Sequence, residues 1–295
     1  MNLRDLEYLV ALQEVKHFRK AAEKCFVSQP TLSGQISKLE EELGLLLIER
    51  TSRKVIFTHA GEDIAAKARL ILMEVKGLKD IAKNYQAPLS GPLHIGLIPT
   101  VAPYVLPKIV PQVRERFPNL ELFLYEEQTK DLIKGLEEGE LDCLILALLP
   151  DMERFGHIDL YREPFLLALP KDHPWRERER IVLEDLKGHR VLMLEDGHCL
   201  RDQALGYCFT AGAKEDTSFK ATSLETLRHM VAADCGITLL PELAVPKADE
   251  DTELVYKRFN DPQPGRIISL VYRMHSVRRP CFNELAKLVQ NQIHF

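Results

Sequence analysis

The residues best suited to chemistry in this chain are two cysteines, Cys199 and Cys208. They stand in the run Asp196-Gly197-His198-Cys199-Leu200-Arg201-Asp202-Gln203-Ala204-Leu205-Gly206-Tyr207-Cys208. Gly197 suits a tight turn, which sets Cys199 at or near the first turn of a helix, where the backbone dipole favours an anionic sulfur. The thiolate is the form of cysteine that attacks oxidants. Arg201 and His198 are close in sequence, and Arg266 is a further cation if folding brings it near. A free thiol near pKa 8.5 is already roughly a few per cent thiolate at neutral pH, so full deprotonation adds only about one to two decades of rate. Fast reaction with an oxidant also needs donors that hold it in line and stabilise the departing oxygen.

The remaining cysteines fit other roles. Cys143 lies in an apolar strand-like run and Cys25 in a short helical one, so both read as small buried hydrophobes. Cys281 begins the last helical segment, and Cys235 occupies a turn in Asp234-Cys235-Gly236. His198, Cys199 and Cys208 are not spaced like a zinc knuckle and no second ligand pair follows, so neither a metal nor a cofactor is expected.

A second polar constellation lies near the N-terminus, where Ser28 is placed to cap a helix that follows the short segment carrying Ala21-Ala22. Leu32, Ile36, Leu39 and Leu43 recur at helical spacing and define a buried stripe. The opposite face shows Gln29, Thr31, Ser33, Gly34, Gln35 and Lys38, polar residues suited to base edges and phosphates. Lys16, Arg19, Lys20 and Lys24 add local positive charge beside it.

The elements around these sites read as several units. Residues 3 to 58 predict short helices and a hairpin with a turn near Ser52-Arg53-Lys54. From Thr58 to about Tyr85 a long helix carries Ile64, Ala68, Ile71, Val75, Leu78 and Ala82 at spacings of four and three, a seam that calls for a second copy. Ala87 to Pro92 breaks it. Strand-like runs then alternate with helical ones: Leu93 to Ile98, Leu120 to Tyr125, Leu141 to Ala147, Pro164 to Leu169, Arg190 to Leu194, Phe219 to Ala221, Ile237 to Leu240 and Ile267 to Tyr272. Repeated βα units predict a largely parallel sheet arranged in two lobes, with a last helix over Arg278 to Ile293.

Bulk properties narrow the class. The chain has 295 residues, 45% hydrophobic and 28% charged, as a packed multi-unit protein does. No run approaches eighteen uncharged apolar residues, and acidic residues interrupt the first ten, which argues against export or a membrane span and for the cytoplasm. Six cysteines at wide spacings then argue against a structural disulfide framework. A net charge of −5 gives no general pull on nucleic acid, so DNA binding must be local.

The stretch Ala21-Ala22, Ser28-Gln29-Pro30-Thr31-Leu32-Ser33, Gln35-Ile36, Leu39-Glu40, Leu43-Gly44, Arg50, Arg53, Thr58 and Ala60-Gly61 resembles the winged helix-turn-helix of LysR-type transcriptional regulators. The resemblance implies an α/β protein with an N-terminal all-α winged helix-turn-helix and a two-lobed, periplasmic-binding-protein-like regulatory domain. It implies the boundaries 1–58 for DNA binding, 59–86 for a dimerisation helix, 87–92 for a hinge and 93–295 for regulation. Lobe I takes about 93–161 and 267–295, and lobe II about 162–266. Ser28, Gln29, Pro30, Thr31, Ser33, Gln35 and Lys38 then read double-stranded DNA, and Arg50, Arg53 and Lys54 on the wing hold phosphates.

The Cys199 segment further resembles that of the peroxide-sensing members of this family. By that resemblance hydrogen peroxide oxidises Cys199 to a sulfenic acid, which Cys208 resolves to a disulfide. Thr100, Thr129, His198, Asp202 and Arg266 bind or activate the peroxide. Nine helical rises separate the cysteines by roughly 13 Å, against about 7 Å at most for a disulfide, so the helix must come apart. A homodimer through the long helix, a homotetramer, RNA polymerase and a thiol reductant such as glutaredoxin are the implied partners, and activation of antioxidant genes is the implied output. The alternatives are a regulator of this family that binds a small organic effector between the lobes, and an oxidoreductase. The latter lacks Cys-x-x-Cys and leaves the N-terminal third unexplained.

Overall fold

Side-chain caps set the first helix boundaries. The Asn2 side chain accepts from the Asp5 N–H at 3.2 Å while the Asp5 carboxylate accepts from the Asn2 N–H at 2.8 Å, a reciprocal box that starts α1 (Leu3–Val15). Next, α2 (Phe18–Lys24) buries Ala21 and Ala22. Ser28 accepts from the Thr31 N–H at 3.3 Å and so caps α3 (Gln29–Leu43), whose Leu32, Ile36 and Leu39 are buried. The Glu40 carboxylate accepts from the backbone N–H groups of Leu47 and Ile48 at 2.9 and 3.0 Å. This anchors the wing, in which β1 (Ile48–Arg50) pairs antiparallel with β2 (Val55–Phe57). Thr58 caps α4 (His59–Gln86) by accepting from the Gly61 N–H at 3.0 Å. Gly61 is required, since a Cβ there would stand 2.1 Å from the Leu47 carbonyl oxygen.

The chain divides into two compact units, Met1–Gln86 and Ala87–Phe295. The computed structural model describes residues 1–50, 55–86, 89–150, 152–246 and 253–295. In the first unit α1 covers the start of the long helix through Leu6 and Val10 against Ala68. Farther along, Ile71 and Leu78 are 38% and 66% exposed.

The second unit opens with β3 (Gly91–Leu97), α5 (Ala102–Arg116), β4 (Leu120–Glu126), α6 (Thr129–Glu137) and β5 (Cys143–Ala147), and β3 pairs parallel with both β4 and β5. It continues through β6 (Phe155–Pro170), β7 (Arg180–Ile181), β8 (Arg190–Leu194), α7 (Cys199–Thr210), β9 (Lys214–Ala221), α8 (Leu224–Ala232), β10 (Thr238–Pro241), β11 (Leu254–Phe259), β12 (Gly265–Arg273) and α9 (Arg279–Gln292). The main sheet runs β4-β3-β5-β12-β6-β11-β7, with β10 also paired to β6, while β8 and β9 pair parallel beside it.

The expected largely parallel sheet is therefore mixed. Its four antiparallel pairings all involve β6 or β12: β6 crosses from one end of the unit to the other, its first half laddered to β12 and its second to β10 and β11, while β12 also pairs with β5. The sequence reading placed only Pro164 to Leu169 in a strand, because the first half of β6 lacks a continuous apolar run and alternates buried with exposed residues. Two apolar cores lie on either side of this crossing. One gathers β3, β5, α5 and α9, and the other β8, α7, α8 and β10.

Candidate redox site and DNA-reading helix

The recognition face of α3 is partly open to solvent: Gln29, Pro30, Thr31, Gly34 and Lys38 are exposed, and Ser33 and Gln35 are half-buried. Ser28 is exposed too, yet its hydroxyl is engaged in the cap and lies 2.8 Å from the Thr31 hydroxyl. Arg50 ends β1, but its side chain, with Arg53 and Lys54, falls outside the described residues. The basic cluster is partly neutralised locally, since Arg19 pairs with Glu23 at 3.1 Å and Lys24 pairs with Glu14.

Cys199 is the first residue of α7 and is 5% exposed, with His198 as the N-cap residue. Gly197 adopts φ +99°, a conformation that disfavours any side chain. Cys208 lies nine residues on. At 100° per residue nine steps amount to half a turn beyond whole turns, so the two sulfurs leave the helix on opposite sides. Their surroundings agree: Cys199 joins the core around β3 and β5, whereas Cys208 joins the core around β8 and α8. Burial pushes the Cys208 thiol up to about 12, leaving it a neutral, unreactive thiol in the folded helix.

A cleft of about 500 Å³ adjoins Cys199, and Thr129, Ile133, Leu149, Gly197 and Asp202 are among its lining residues. Thr129 is the first residue of α6 and is 6% exposed, yet its hydroxyl has no hydrogen-bond partner among the described residues. A buried hydroxyl in that state favours a small polar guest. Asp202 lies on the exposed rim beside Arg201. Desolvation lowers the His198 pKa, opposed by the nearby Glu195 carboxylate, so its imidazole is neutral at neutral pH and offers one donor and one acceptor.

The cations expected beside the sulfur are engaged elsewhere. Arg201 donates from Nη2 to both carboxylate oxygens of Glu215 at 3.0 Å, and its Nη1 meets Asp196 at 3.0 Å. Lys220 joins Asp196 from β9, so this network pins the segment before Cys199 to its neighbouring strand. Arg266 is buried with Glu163, its register partner across β12 and β6, at 2.7 Å. Its guanidinium also donates to the Thr100 hydroxyl at 2.8 Å and the Thr100 carbonyl at 3.0 Å. Thr100 and Arg266 thus form a polar knot of their own, and the cleft lining beside Cys199 does not include them. Neither threonine is an N-cap residue: Val101 and Gln128 hold those positions.

Sequence reasoning missed two residues. Glu163 stands beside Arg162 in the first half of β6, which has no apolar run, so its charge gave no signal of burial. Gln128, just ahead of α6, carried none. Of the other cysteines, Cys143 and Cys281 are buried and Cys235 is exposed. Cys25 is half-buried and stands just past α2 as its C-cap residue rather than within it.

Residues 3–62 match the model of the bacterial regulatory helix-turn-helix protein, lysR family, and residues 86–293 match the LysR substrate binding domain. The chain belongs to the LysR family of bacterial regulators. It is 57% identical over its full length to the DNA-binding transcriptional dual regulator OxyR of Escherichia coli, covering 97% of that protein. It is 56% identical to the hydrogen peroxide-inducible genes activator of Pectobacterium carotovorum, over 99% of this chain and 97% of that one. Among solved structures, a full-length OxyR variant from Pseudomonas aeruginosa aligns with a TM-score of 0.80 at 36% identity, over 98% of this chain and 95% of the other. The expected fold, a LysR-type helix-turn-helix followed by a mixed α/β regulatory domain, is the one observed. Among the described residues no helix is long and apolar enough to cross a membrane.

Proposed function

We propose that this chain is a hydrogen peroxide-responsive, DNA-binding activator of transcription whose signal is a disulfide between Cys199 and Cys208. One observation carries the reading: Cys199 begins α7 beside a cleft that holds the unpartnered Thr129 hydroxyl, while Cys208 is sequestered on the far side of the same helix. The names of the relatives support the peroxide.

The chemistry balances with these two thiols alone. The Cys199 thiolate attacks one peroxide oxygen, the O–O bond breaks and water departs after protonation, leaving a sulfenic acid. Thr129 and His198 donate to the peroxide and its leaving oxygen, Asp202 accepts from a peroxide hydrogen, and Thr100 and Arg266 support them from outside the cleft. Cys208 then attacks the sulfenic sulfur and a second water leaves. Two thiols have supplied the two electrons that reduce one peroxide to two waters.

Geometry imposes the order of events. With the sulfurs on opposite faces, α7 must open before the bond can close, and opening also removes the burial that keeps Cys208 protonated. The rebuilt segment alters how regulatory domains associate in a homodimer or homotetramer, and so how α3 meets DNA and RNA polymerase. A cytoplasmic thiol reductant such as glutaredoxin resets the switch. The unit boundaries 1–58, 59–86, 87–92 and 93–295 serve these steps in turn. Mass spectrometry after a brief stoichiometric peroxide pulse is expected to find Cys199 linked to Cys208. Cys199→Ser is expected to lose the peroxide response while keeping DNA affinity. Unlinked cysteines would leave a regulator answering to a small organic effector.

A further inference from the structure

We infer that Gln128 is a positioning residue for the oxidation of Cys199, acting by packing its side chain on Gly197; the inference rests on the peroxide reading above. Gly197 lines the Cys199 cleft at φ +99°. A Cβ built on Gly197 would stand 2.3 Å from the Gln128 Oε1 and 3.0 Å from its Cδ, so the Gln128 amide lies directly over the Gly197 Cα. Gln128 is also the N-cap residue of α6, and its side chain makes no capping hydrogen bond. Its length therefore spaces two helix starts rather than satisfying one.

The two helix starts each present one reacting group. The residue after Gln128 is Thr129, whose buried hydroxyl lines the cleft without a partner. Two residues after Gly197 is Cys199, at the first turn of α7. The Gln128–Gly197 contact thus sets the separation between the sulfur and the hydroxyl that receives the peroxide. Reaction rates are steep in such separations, and a misplacement of about 1 Å costs up to about a hundredfold. No change in the sulfur's own ionisation is needed for this effect.

Gln128→Ala is expected to lower the second-order rate of Cys199 oxidation by hydrogen peroxide at least about tenfold. Alkylation of Cys199 by iodoacetamide, which uses the thiolate but no peroxide-holding hydroxyl, should keep its rate and pH profile. In a Thr129→Val background the further loss on removing Gln128 should vanish, because the hydroxyl it positions is gone. Gln128→Met, of similar length and without the amide, should recover most of the rate. Wild-type oxidation is measured first in the full chain: if Cys199 resists peroxide there, the peroxide reading itself fails. If the wild type reacts, three results overturn the role of Gln128: an unchanged rate in Gln128→Ala, a loss that persists undiminished beside Thr129→Val, or alkylation slowed in parallel. If Gln128→Ala does not fold, Gln128→Met decides, and a rate as low as that of Thr129→Val would overturn the role.

Discussion

Cys208 carries its reactivity in its surroundings. Burial raises its thiol from the ordinary range to about 12 in the folded state. The folded form therefore holds this proton more tightly than the unfolded form. The stabilisation is fully present below pH 9 and is lost progressively as the pH rises towards about 12. Melting temperatures across that window should fall more in the wild type than in Cys208→Ala, and equal slopes would remove Cys208 from the account. The neutral His198 follows the same rule with opposite charge, since burial disfavours its cation. At this scale the sequence singled out Cys199 and Cys208 and was silent about the charges around them. The Asp196-to-Cys208 run pointed to two sulfurs, but nothing in it told that Arg201 would be taken by Glu215 or that Arg266 would face Glu163.

Helices and strands turn those side chains into a device. Closing the disulfide uncovers the buried residues Leu200 and Leu205 if α7 opens. Exposing both costs about 3–6 kcal/mol, which raises the reduction potential of the bond by roughly 60–130 mV and eases its resetting. The crossing of β6 and β12 is held by the Glu163–Arg266 pair, with both side chains essentially inaccessible. Arg266→Ala leaves a buried carboxylate without its partner and is expected to cost about 3–5 kcal/mol in denaturant unfolding. Arg266→Lys should recover only part of this, because a lysine cannot reach Glu163 and both Thr100 oxygens at once. Helix periodicity made α3 and α4 legible to within a residue or two, and the turn at Gly197 marked the start of α7. The first half of β6, the short β7 and β11 were not, because their identity depends on partners distant in the chain: β11 lies between β6 and β7 only once the sheet is assembled.

For the whole molecule, the first unit leaves an apolar seam without a complement. Ala68 is covered by α1, but Ile71 and Leu78 on α4 face solvent in the single chain. A second α4 is the covering that the seam's spacing of four and three suits. Leu78→Asp should shift the dimer dissociation constant upward by at least about tenfold in sedimentation experiments, since it puts a charge into that seam. Helix-turn-helix proteins read paired half-sites as dimers, so operator affinity should fall with it while the fold of the monomer persists. The family assignment was legible from the first sixty residues because a recognition helix needs particular polar residues at particular positions, and the two lobes from the repeated strand and helix runs, whereas the mixed pairing around β6 and β12 needed the sheet itself.

The paired strands of the regulatory unit constrain how news of oxidation leaves it. From Phe155 to Pro164, β6 is laddered to β12, and from Phe165 to Pro170 to β10 and β11. The partner of β6 changes between Pro164 and Phe165, so the two runs can turn relative to one another there with each ladder intact. Under the proposed disulfide switch, a rearrangement around residues 199–208 can then reach the far lobe as a change of angle at that junction.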